Sequence, residues 1–159
     1  MNLAQLAAIL TLGNTDTLAA EPSRRIIISV PDRKIILVQN GEIKRIYDVA
    51  VGKQSTPTPA GTYHIANRVE YPTWYGPSQV VPPGKANPLG TRWMGLGYRG
   101  YGIHGTNVPS SIGKAASHGC IRMRNQDVEE LFQLVSIGDE IEIRENPPAE
   151  ITAIAGGGN

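Results

Sequence analysis

A single cysteine in 159 residues rules out an internal disulfide, so whatever holds this chain together is packing and hydrogen bonding. A chain of this length buries roughly 68–70% of its unfolded surface and needs no covalent staple. Charge of either sign is nearly absent in net terms, at +1. With no basic stripe to follow phosphates, nucleic acid is excluded as a partner. No run of ~18 apolar residues is present, so no segment reads as a transmembrane helix. The apolar stretch Leu3 to Leu12 is short and preceded by no Lys or Arg. Followed by the small residues Leu18-Ala19-Ala20 ahead of Glu21-Pro22, it reads as a weak secretory signal.

What the chain has in abundance is turn-formers, Gly 18 and Pro 12, which point to short strands rather than a helix bundle. Ile26-Ile27-Ile28 with Val30, and then Ile35-Ile36-Leu37-Val38, are β-branched runs separated by Pro31-Asp32. Asn40-Gly41 is the dipeptide of a type I′ hairpin, and a third strand follows through Ile43, Ile46, Val49 and Val51 to Gly52. Thr62 to Ala66, Gly95 to Gly105 and Glu140 to Ile143 read as further strands. Residues 71–92 hold five prolines with Trp74 and Tyr75 and little periodicity, the pattern of a long functional loop. One helix is expected, with Asn125 as its N-cap and Val128, Leu131, Phe132 and Val135 on its buried face. The expected organisation is an N-terminal extension (1–24), one domain (25–145) and a disordered tail (146–159).

Three patterns could carry chemistry. Gly95-Leu96-Gly97-Tyr98-Arg99-Gly100 matches GxGxxG, but Tyr101-Gly102-Ile103-His104-Gly105 cannot open a well-formed helix, so a dinucleotide site is rejected. These glycines are read instead as close backbone approaches beneath the site. His104, His118, Cys120 and His64 could ligate zinc, yet His118-x-Cys120 is too short a pair for a structural site, and no metal or cofactor is expected. The third pattern is His104-Gly105-Thr106 followed by Ser117-His118-Gly119-Cys120-Ile121-Arg122. A nucleophilic thiol needs a base or cation to form thiolate, amide donors for the oxyanion, and access. His104 can be the base, Gly119 permits a tight turn, and Lys114 and Arg122 make the surroundings electropositive. On residue chemistry alone, a buried, inert thiol beside two satisfied histidines fits equally well.

These same residues resemble the signature of the L,D-transpeptidase catalytic domain (YkuD-type), H-G-T and then S-H-G-C-x-R. The resemblance runs over about residues 25 to 143 and includes Thr58-Pro59-Ala60-Gly61-Thr62-Tyr63. It implies a mainly β fold, a β-sandwich of mixed sheets with one helix packed beside the active site. It implies that Cys120 attacks the L-centre carbonyl at position three of a peptidoglycan tetrapeptide stem and releases D-alanine. The thioester then passes to an amine, typically of a second stem, so donor and acceptor stems are the expected partners. His104 is the implied base, the Gly105 carbonyl its orienter, and the amides of His118, Gly119 and Cys120 the oxyanion donors. Arg122, Ser117, Tyr101 and Trp93 are the expected substrate-binding residues, and the cell envelope is the expected location. An L,D-carboxypeptidase using water, or a non-catalytic β-domain that binds wall peptides, are the alternatives. A papain-type peptidase is disfavoured, because His104 precedes Cys120 here.

Overall fold

A computed structural model describes residues 23–155; the expected secretory signal therefore lies outside the described residues. The three opening runs form the meander β1 (Arg24–Ser29), β2 (Lys34–Gln39) and β3 (Glu42–Gly52). Asn40 and Gly41 both take positive φ, 52° and 78°, which is what a type I′ turn requires. Side-chain alternation then decides which face each residue joins. Ile26, Ile28, Ile35, Leu37, Val49 and Val51 face the main core. Ile27, Ile36 and Val38 lie on the opposite face in a second small cluster.

The last strand, β12 (Glu140–Arg144), returns to pair in parallel with β1, setting Ile141 beside Ile26 and Ile143 beside Ile28. β4 (Gly61–His64) closes that edge by pairing antiparallel with β12. On the far side of β3, the order continues through β11 (Ile121–Met123), β9 (Gly102–His104), β8 (Arg92–Gly95) and β5 (Asn67–Glu70). This mixed sheet curls so that both halves contribute to one core, where Ile26 and Ile141 share a cluster with Met94, Ile103, Ile121 and Met123. Helix α1 (Asn125–Leu134) packs its Val128, Leu131 and Phe132 into the same core. Each such full burial stabilises the fold by about 1.5–3 kcal/mol.

Four expectations change. Gly95 to Gly105 is not one strand but the β8–β9 hairpin, because Gly97, Arg99 and Gly100 all have positive φ and turn the chain between them. Residues 71–92 are largely irregular but carry a small hairpin, β6 (Trp74–Tyr75) and β7 (Val80–Val81). Buried Asn87 ties its base by donating to the carbonyls of Pro72, Val81 and Pro82. Asn125 is the first residue of α1 and not its cap; Arg124 occupies the cap position. Within the tail expected to be disordered, Ala149–Ala155 form a second helix, α2. Arg25 and Arg144 both reach Glu150, and Ile151 packs on the Ile27–Ile36–Val38 cluster. The apolar face exposed by β1 and β2 gave this segment something to cover, which composition alone does not reveal.

Candidate active site

Strand pairing brings the two halves of the motif together. β11 lies parallel to β9 with Arg122 opposite His104, so the residue just before β11, Cys120, comes level with Gly102 at the start of the strand that ends on His104. A short strand, β10 (Ala115–Ser117), pairs with the end of β3 and leads into the turn at Cys120. Two cavities reach Cys120. One, about 310 Å³, is lined by His104, His118, Cys120 and Arg122 with Trp74 and Leu89. The other, about 650 Å³, is lined by aromatic and apolar side chains including Tyr71, Trp74, Tyr75 and Trp93, and also reaches Cys120.

His104 is buried, and its Nδ1 lies 2.5 Å from the Gly105 carbonyl oxygen. That oxygen can only accept, so Nδ1 carries the proton and Nε2 is left with a free lone pair. Burial drives the His104 pKa down from 6.5 to about 4; the Gly105 carbonyl opposes this and Arg122 adds to it. Burial likewise pushes the Cys120 thiol up, against the Gly102 backbone hydrogen bond and Arg122, which both favour thiolate. The electropositive activation expected from Lys114 and Arg122 is therefore smaller than the desolvation cost, and Lys114 is exposed and contributes none of it. Burial thus disfavours both the thiolate and the imidazolium, and the Cys120 thiol donates to the Gly100 carbonyl at 3.8 Å.

The turn at the cysteine is held from within. Ser117 is buried; its Oγ accepts from the Gly119 N–H at 3.0 Å and donates to the Cys120 carbonyl at 2.5 Å. Its hydroxyl is thereby occupied in shaping the turn, while the residue also lines the smaller cavity. The Gly119 N–H, expected as an oxyanion donor, is thus committed to Ser117 Oγ in this structure. Among the described residues the His118 and Cys120 N–H groups have no such acceptor. Gly119 has φ +120°, and a Cβ there would meet Tyr101 Cε1 at 2.5 Å. Tyr101 packs on this turn and stacks on Tyr98 at 5.8 Å and 11°, lining neither cavity. Tyr101, expected to bind substrate, is placed here against the turn.

Trp93 lines the larger groove and lies flat on His104, while His118 is exposed at the edge of the smaller cavity. Arg122 faces that cavity and has no ion-pair partner among the described residues. His64 stands on β4 opposite Glu140, away from the site. No three His, Cys, Asp or Glu side chains converge as a metal site among the described residues.

A family model described as the L,D-transpeptidase catalytic domain, YkuD, matches residues 23–143. This chain belongs to that family. The YkuD protein of Bacillus licheniformis, named as an L,D-transpeptidase, is 42% identical over 119 residues, covering 75% of this chain and 64% of that protein. The chain thus spans less than two thirds of that relative's length. A crystal structure of the Enterococcus faecium L,D-transpeptidase C442S mutant is 25% identical, with a TM-score of 0.66 over 77% of this chain and 50% of that one. An L,D-transpeptidase from Mycobacterium tuberculosis shares the fold at 18% identity and a TM-score of 0.68, covering 78% of this chain and 58% of that one.

Within this L,D-transpeptidase domain, the sequence reading missed the residues that brace the site. Asn125 Oδ1 accepts from the Thr106 and Thr91 N–H groups at 3.1 and 3.3 Å, clamping the strand end at Gly105 to the segment before β8. A Cβ on Gly90 or Gly105 would strike that same oxygen. The signal was available in principle, since Asn is favoured both as a cap and as a partner of turn backbone. Only tertiary placement separates the two uses.

Proposed function

We propose that this chain is a peptidoglycan L,D-transpeptidase of the cell envelope that works through a Cys120 thioester. The observation that carries the reading is the buried His104, its Nδ1 committed to the Gly105 carbonyl, sharing one cavity with Cys120 and with Arg122, which has no ion-pair partner among the described residues. Family membership supports the same reaction class.

In this mechanism Sγ attacks the L-centre carbonyl of the donor stem's third residue while the thiol proton moves to His104 Nε2. The tetrahedral oxyanion is met by the His118 and Cys120 N–H groups. On collapse the C–N bond breaks and His104 returns its proton to the departing D-alanine amine. An acceptor amine then repeats the sequence in reverse, giving an amide between third residues of two stems and restoring the thiol. Arg122 suits a stem carboxylate, which its guanidinium can grip at two points.

Incubation with disaccharide-tetrapeptide, read by mass spectrometry, tests this. Cross-linked dimer with D-alanine release is expected, and Cys120→Ala should abolish both. D-alanine release without dimer would make the chain an L,D-carboxypeptidase. Absence of both products, with no thioester on Cys120, would leave a wall-peptide-binding domain.

A further inference from the structure

The segment between β3 and β4, Thr56-Pro57-Thr58-Pro59, lines neither cavity, yet its two hydroxyls reach the turn at the cysteine. Thr56 Oγ1 donates to the Ser117 carbonyl at 3.0 Å, an oxygen that also accepts from the Lys53 N–H. Thr58 Oγ1 donates to the Gly119 carbonyl at 2.9 Å and accepts from the Gly52 N–H at 2.9 Å. A backbone N–H can only donate, so the Thr58 hydroxyl proton is committed to Gly119. The segment is pressed tightly onto the end of β3: a Cβ on Gly52 would lie 2.6 Å from the Thr58 nitrogen and 2.8 Å from the Pro57 carbonyl carbon.

These contacts fix peptide planes. No cis peptide is present among the described residues, and in a planar trans unit the C=O and N–H point in opposite directions. The Ser117 carbonyl shares its plane with the His118 N–H, and the Gly119 carbonyl shares its plane with the Cys120 N–H. The plane between them is reversed, its Gly119 N–H turned onto Ser117 Oγ. Two carbonyls are therefore drawn toward the threonine segment, and the two N–H groups opposite them, on residues that line the smaller cavity, are turned away from that segment.

We infer that Thr58, seconded by Thr56, is a positioning residue that aims the oxyanion donors, acting through the Gly119 and Ser117 carbonyls. The inference rests on the acyl-transfer reading above. A hydrogen bond onto a peptide carbonyl also polarises the N–H of the same unit, so the Thr58 hydroxyl strengthens the donor it aims.

Two reactions of Cys120 separate this role from general support. Acylation by a carbapenem builds an oxyanion on the attacked carbonyl. Alkylation by iodoacetamide forms an S–C bond and releases iodide, with no oxyanion. In Thr58→Val, carbapenem acylation should slow roughly 10- to 100-fold, less than the 10²–10³ that loss of a donor costs, while alkylation stays within about twofold. With disaccharide-tetrapeptide, kcat should fall and KM hold. Thr58→Ser should recover acylation. Thr56→Val should give the same selective loss in smaller measure, since Lys53 still holds the Ser117 carbonyl; it carries the test if Thr58→Val does not fold. Equal slowing of both reactions, or of neither, would overturn the assignment. Wild-type protein that is alkylated but never acylated would overturn the transferase reading, and this inference with it.

Discussion

Trp93 and His104 face each other across the β8–β9 pair, their rings stacked at 5.8 Å and 18°. The indole is held by its Nε1–H, which donates to Asn67 Oδ1 at 2.9 Å. It occupies space left by Gly102, where a Cβ would lie 2.5 Å from Trp93 Cη2. The same side chain thus covers the imidazole and walls the larger groove.

If that cover is what dries His104, Trp93→Ala should let water in and raise the His104 pKa from about 4 toward 6.5. The acid limb of the carbapenem-acylation pH profile should then move to higher pH, with Trp93→Phe moving it less. An unmoved limb in Trp93→Ala would show that the neutral base depends on other neighbours.

Burial of neutral His104 also makes folding depend on acidity. Between pH 6.5 and about 4 the unfolded chain binds this proton and the folded chain does not. Stability is therefore fully present above 6.5 and is lost as pH falls toward 4, by up to about 3 kcal/mol. Urea denaturation across that window should show the loss in the wild type and a flatter curve in His104→Gln. For Cys120 the sign is opposite. Its raised pKa favours the fold below the ordinary thiol value of 9.0, and that contribution is lost as pH rises past it.

Asn125 is the brace whose removal should be most costly away from the reacting atoms. Asn125→Ala leaves the Thr106 and Thr91 N–H groups without their acceptor, at roughly 1–3 kcal/mol for each one kept from water. The 3.3 Å contact to Thr91 belongs at the lower end. The urea midpoint should fall with the m-value unchanged, and acylation should slow as Gly105 loses its anchor. Asn125→Asp keeps the acceptor and should recover most of both; if it does not, the clamp is not what Asn125 supplies.

The parts of this fold that follow from local chemistry were readable in advance. The β-branched runs, the Asn40-Gly41 turn and the periodicity of Val128, Leu131 and Phe132 each depend on neighbours in the chain. The H-G-T and S-H-G-C-x-R elements named the residues around the site for the same reason. What could not be read depends on distant pairing. That Ser117 would turn inward and Tyr101 would lie under Gly119 follows only once β10 pairs with β3 and the β8–β9 turn folds over it. Asn125 and Thr58 show the same limit, because a cap-like Asn and a turn-like Thr look alike in sequence whether they serve their own segment or another. The helix at Ala149–Ala155 needed a face to cover before its weak local preference could matter.

Gly119 tests whether Tyr101 bears on the turn or on a ligand. Two separate penalties oppose a side chain here: φ is +120°, where L residues are strained, and a Cβ would meet Tyr101 Cε1 at 2.5 Å. Gly119→Ala should therefore lose most acylation and much stability. Adding Tyr101→Ala removes the collision and leaves the backbone strain. The double mutant should then be more stable than the two single losses summed, by a coupling of about 0.5–3 kcal/mol, while still falling short of Tyr101→Ala alone. If Tyr101 instead contacted substrate, its replacement would raise KM and leave the stability effect of Gly119→Ala unchanged. Thermal unfolding of the four proteins, with carbapenem acylation of each, distinguishes the two cases.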